Sequence, residues 1–108
     1  MHTLKDALII AIDCAEKGEI AHDKRNTYVV QLVGVYVTSD RMPRDVRREL
    51  NASVRAGEIG HIAKDGLRPE CYHHKNARAN ALEVRNRIAL DAVKAISTVC
   101  GINPEATP

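Results

Sequence analysis

The chain has no Phe and no Trp, and Tyr28, Tyr36 and Tyr72 are its only aromatic residues. A core without large rings has to be filled by Ile, Leu, Val and Ala, which suits closely packed helices better than an aromatic-rich β-sandwich. Cysteine is also scarce: Cys14, Cys71 and Cys100 are odd in number and far apart, and no CxxC occurs. This argues against a disulfide framework and a zinc ribbon; Cys14 and Cys100, in apolar helical runs, are expected in the core. The apolar run from Ala7 to Ile12 is too short for a signal h-region or a membrane span, so a soluble, cytoplasmic protein with no membrane partner is expected. There is no GxSxG, no phosphate-binding Gly-rich loop and no His-Cys pair with an orienting group. Neither an enzyme nor a cofactor is therefore expected.

What is present suffices for one compact domain: 108 residues, 44% of them hydrophobic, can bury a single core without disulfides or a structural metal. Residues 1–101 are expected to form that domain and residues 102–108 a flexible tail. The net charge of +2 hides an uneven distribution. Residues 41–87 hold 11 Lys/Arg against 6 Asp/Glu, a balance of +5, while the segments before and after are −2 and −1. A positive middle segment points to a polyanionic partner.

Local patterns place the elements. Thr3 reads as an N-cap with Asp6 three residues on, Leu4, Leu8, Ala11 and Ala15 share a helical face, and Gly18 stands at C′. EIAHDKRN is polar and aperiodic and reads as a loop. TYVVQLVGVYVTS is ambiguous: its Val, Tyr and Thr favour a strand, in which case it would pair into a three-stranded sheet. Val29, Val33 and Tyr36 also fit a helical face, and helix is narrowly preferred despite the interior Gly34. In DRMPRDVRRELNASVRAG, Asp40 can cap a helix, Pro43 fits its first turn and Gly57 ends it. EIGHIAK and LRPECYHH then read as a β-hairpin turning on Asp65-Gly66 in type I′ geometry, with Pro69 at an edge or bulge. A long helix opens at Asn76 and runs to Gly101, with Pro104 beyond. Its stripe is Ala81, Val84, Ile88, Ala92, Ala95 and Val99, widened by Leu82, Ala89, Val93 and Ile96. Such a helix exceeds what a small core needs, so a homodimer through residues 81–99 is expected.

The expected fold is thus mainly α with one β-hairpin, an α+β protein with a long C-terminal helix. The order helix, helix, short turn, Gly and DG hairpin, carried by VVQLVGVYVTSDRMPRDVRRELNASVRAGEIGHIAKDGLRPECYHH, resembles the winged helix-turn-helix superfamily over positions 29–74. A typical member has two helices before the wing, which here would have to share Pro43 to Ala56 with a break near Asn51. The resemblance implies double-stranded DNA as partner, with Arg44, Arg47, Arg48 and Arg55 on or beside the helices that face it. Lys64 and Arg68 would flank the tip of the wing. Such cations neutralise phosphates and release counterions, and an arginine fork can also read guanine. Equally, the RRE run can be a solvated face in which Asp45 and Glu49 pair with Arg48.

Two further readings remain. A broad apolar stripe and modest net charge suit a small protein-interaction module, an adaptor or inhibitor of another protein. A hairpin followed by a helix is also the frame of a ββα-metal nuclease, with His61, Cys71, His73 and His74 as candidate ligands. The helix then supplies Asn80, Glu83 and Asn86, and no Asp before Asp91, and CxHH matches no usual zinc spacing. No metal site is therefore expected: Cys71 packs inward, and His73 and His74 precede or cap the helix.

Overall fold

In the computed structural model, which describes residues 2–39 and 41–99, four helices surround a three-stranded antiparallel sheet. Helix α1 spans Leu4–Glu16. The Thr3 side chain accepts from the Asp6 N–H at 3.2 Å. At the other end the Gly18 N–H reaches the Ala15 carbonyl and the Glu19 N–H that of Cys14, a Schellman closure around Gly18 at φ +75°. The inward face is not the expected one. Ala7, Ala11 and Ala15 are buried, whereas Leu4 and Leu8 are exposed, because α1 lies against α2 through its small residues, beside Val29 and Val33. Cys14 is half-buried, and Cys71 is fully buried.

The polar stretch read as a loop instead starts a helix. After a 3-10 turn at His22–Lys24, α2 spans Arg25–Val33. One of its first-turn amides is met from elsewhere: Glu49 accepts from the Asn26 N–H at 3.1 Å and from the Asn26 side-chain amide. Gly34, at φ +82°, ends α2, and strand β1, Val35–Val37, follows at once. Both alternatives for this segment are therefore realised, one on each side of Gly34.

Helix α3 spans Arg44–Arg55 without a break at Asn51, so one helix rather than two separates β1 from the hairpin. It ends in a second Schellman closure, with Gly57 N–H on Val54 and Glu58 N–H on Ser53. Strands β2, Gly60–Ile62, and β3, Cys71–His73, form the hairpin, and β1 adds to its far side in the order β1-β3-β2. The turn differs from expectation by one residue. Asp65 and Arg68 form a reciprocal backbone pair, so Gly66 and Leu67 are its central residues. Only Gly66, at φ +57°, is positive, which is the φ pattern of type II′ rather than I′.

Register gives the sheet two different faces. Tyr36, Tyr72 and His61 stand abreast. Tyr72 is fully buried with Val30, Leu50 and Ile59, and Tyr36 packs against them. Val37, Cys71 and Ile62 form the adjacent row on the opposite side, where Ala81 joins them from helix α4, Arg78–Val99. Ala81 N–H bonds the Ala77 carbonyl, so the helix starts after the expected Asn76 cap; the Asn76 N–H instead donates to His74 Nδ1 at 3.0 Å. The expected cap at Asp40, the stops at Gly101 and Pro104, Cys100 and the tail lie outside the described residues. No helix among the described residues is long and apolar enough to cross a membrane.

Candidate nucleic-acid interface

Helix α3 buries Leu50 and Ser53, and this fixes which of its cations face out. Arg44, Arg48 and Arg55 are exposed on its outer side, at the i, i+4 and i+11 spacing of one helical face. None of them has an ion-pair partner among the described residues. The reason is where the carboxylates go. Glu49, one residue from Arg48, is turned back to the first turn of α2. Glu58 accepts from Lys24 Nζ at 2.7 Å. Glu70 is held by Arg47, His61 and Thr38. Of the acids on α3, Asp45 alone stays exposed.

Arg47 therefore has a different environment from its three neighbours. It pairs with Glu70, a contact that joins α3 to the hairpin, and hydrogen bonding to that carboxylate raises its pKa. On Glu70 burial opposes the charge, but hydrogen bonds from Arg47, His61 and Thr38 outweigh it and hold the carboxyl below its ordinary range. His61 Nε2 lies 3.0 Å from Glu70 Oε2, and its ring stacks at a tilt on Tyr72 with centroids 4.7 Å apart. Tyr72 donates its hydroxyl to Asn51 Oδ1 at 2.6 Å.

A groove of about 480 Å³ opens beside this cluster. Thr38 and Ser39 from the end of β1, Arg47 from α3, and Lys64, Leu67 and Glu70 from the hairpin line it. The structure thus brings Arg47 and Lys64 to one groove. It leaves Arg44, Arg48 and Arg55 on the outer face of α3, and sets Arg68 at the hairpin tip, 3.3 Å from Asp65. Lys64 is exposed.

The Cys/His group is divided rather than assembled. His61 faces the α3 side of the sheet, while Cys71 and His73 occupy rows on the α4 side. Burial pushes the Cys71 thiol up. His73 is buried, and its Nδ1 lies 2.7 Å from the His74 carbonyl. A carbonyl can only accept, so Nδ1 carries the proton, and Nε2 is buried without a partner among the described residues. His74 organises the entry to α4 through its carbonyl and ring. Among the described residues no group of three or more His, Cys, Asp or Glu is arranged to hold a metal ion.

Two residues that shape this surface are not singled out by a motif. Glu70 is an isolated acid between Pro69 and Cys71. Arg85 is an arginine inside the apolar stripe of α4, four residues after Ala81; that position was the available signal. It is buried and donates to the Pro69 carbonyl at 2.8 Å and the Ala63 carbonyl at 2.6 Å. Compared with known proteins, the chain matches no family model, no curated protein and no solved structure.

Proposed function

We propose that this chain is a small double-stranded-DNA-binding protein of regulatory or accessory type, arranged like a winged helix. The observation that carries the reading is the release of Arg44, Arg48 and Arg55. Their neighbouring glutamates are committed elsewhere in the molecule, which leaves three guanidinium groups on one face of α3 without an ion-pair partner among the described residues. Lys64, on the hairpin that shares a groove with α3, extends the positive surface. In this reading α3 meets the duplex and the hairpin serves as the wing. The order α2, β1, α3, β2, β3 and the sheet order β1-β3-β2 support it. The departure from the usual pattern is that α3 alone stands where two helices are typical.

Phosphate contacts release counterions, so binding weakens steeply with salt. Fluorescence anisotropy of a labelled random-sequence duplex at two salt concentrations tests the reading. Tight binding at low salt that falls with added salt supports it; no binding at low salt, or binding indifferent to salt, rejects it.

A second reading, a protein-interaction module, is favoured by the outer side of α1. Leu4, Leu8, Ile9 and Ile12 are all exposed there, a larger apolar display than a solvated helix requires. Salt-dependent DNA binding that survives Leu8→Asp separates the two.

A further inference from the structure

Helix α4 is longer than the body it packs on. Twenty-two residues at 1.5 Å each span about 33 Å, and its main contacts are with β3 and β1. Among the described residues its buried side chains, Ala81 and Arg85, lie in the first half. The molecule measures 58 × 25 × 25 Å with a radius of gyration of 16.5 Å, against about 13 Å for a compact domain of roughly this length. The far half of α4 nevertheless keeps the apolar pattern of a packed helix. Leu90, Val93 and Ile96 are 54%, 39% and 53% exposed, and Leu82 and Ile88 are similar to Val93.

From this we infer that α4 pairs antiparallel with α4 of a second copy of this chain, crossing at Ala89. Three observations select that occupant. First, Leu82, Ala89 and Ile96 follow each other at seven-residue steps, the spacing of a helix–helix seam. A two-fold axis through the small Ala89 sets Leu82 of each chain opposite Ile96 of the other, so the face complements itself. Second, Leu82, Val93 and Ile96 along this seam are 39–53% exposed, with Ile88 and Leu90 on its two flanks. That leaves an apolar band of roughly a few hundred Å² per chain, the scale of the apolar part of the roughly 800 Å² each partner gives to a standard interface. Third, the +5 balance lies in residues 41–87. A parallel pair would set two such segments side by side, whereas the antiparallel pair places them at opposite ends.

The inference does not depend on DNA binding and is tested without DNA. Sedimentation equilibrium of the full chain over a wide concentration range is expected to give twice the 11.9 kDa chain mass. Leu82→Lys and Ile96→Glu are each expected to give monomers with unchanged helical circular dichroism. The double variant is expected to dimerise again, because across an antiparallel seam each new lysine faces a new glutamate. Leu8→Asp, on α1, is expected to leave the dimer intact. A wild-type monomer at every concentration, dimers that persist in both single variants, loss of the dimer with Leu8→Asp, or no recovery in the double variant would each overturn it. So would a monomeric chain whose α4 is covered by a different protein.

Discussion

Arg85 donates from α4 to the carbonyl of Pro69, the residue at which the hairpin ladder is interrupted. The strands are paired at Ile62 and Cys71 and again at Asp65 and Arg68, and between them Pro69 has no N–H to give. One guanidinium closes this gap by holding a carbonyl from each arm, Ala63 and Pro69. Arg85→Met keeps the bulk of the side chain but leaves both carbonyls unpartnered. It should lower stability by about 2–4 kcal/mol in urea titrations. Arg85→Lys should rescue little, since an ammonium is a point charge and not a fork. Amide exchange should quicken first in residues 63–69.

Glu70 gives the fold an acid limit. Its carboxyl is held low in the folded protein, so its stabilising effect is complete above the unfolded carboxylate value of about 4.3. The effect is lost as the pH falls from there through the lower folded value. Stability measured from pH 7 down to pH 3 should drop in that window for the native chain. Glu70→Gln should start lower and show a flatter acid limb; an unchanged slope would contradict the arrangement.

Gly60 and His73 test the sheet from the inside. A Cβ at Gly60 would stand 2.1 Å from His73 Cε1, and the two residues are register partners, so neither backbone can withdraw without opening the strand pair. Gly60→Ala should cost on the order of 1–3 kcal/mol. Combining it with His73→Ala should recover part of that loss, and the non-additivity in a double-mutant cycle measures the contact.

Arg47 and Arg48 are neighbours in sequence with opposite expected phenotypes. Arg47→Ala removes one partner of Glu70 and, for a pair partly screened by solvent, should cost about 0.5–1.5 kcal/mol of folding stability. Arg48→Ala breaks no ion pair among the described residues and should leave stability within about 0.5 kcal/mol. On the proposed function, Arg48→Ala should instead weaken duplex binding and reduce the salt slope by roughly 0.9, the value for one phosphate left unneutralised. Thermal melts and anisotropy on the same two variants decide the matter.

Some elements are legible because a residue acts on its own neighbours. Thr3 caps α1, and Gly18 and Gly57 close their helices. The turn type differs from expectation because Asp65-Gly66 favours its own geometry locally, while the pairing of Ile62 with Cys71 obliges Asp65 to face Arg68. α1 is apolar nearly all round from Ala7 to Ile12, so periodicity could not tell that the alanines, not Leu4 and Leu8, meet α2. The start of α2 was hidden for a similar reason: the acceptor for the Asn26 N–H, Glu49, lies 23 residues away on α3. The same distance kept the candidate interface obscure. Arg48 looks self-paired in sequence, and only the fold shows Glu49 spent elsewhere.

The single residue between α2 and β1 has one more effect. Val35 and Val37 belong with Ile62, Cys71 and Ala81, while Tyr36, between them, belongs with Tyr72 and Leu50. With Gly34 alone as connector, the rotational phase of the helix and the odd-even parity of the strand are geared together. A substitution elsewhere on α2 changes one contact, but an inserted or deleted residue here would exchange the two sides of β1, setting an aromatic where the small α4 side expects valine. The α2–β1 junction thus fixes chain length as strictly as it fixes side-chain direction.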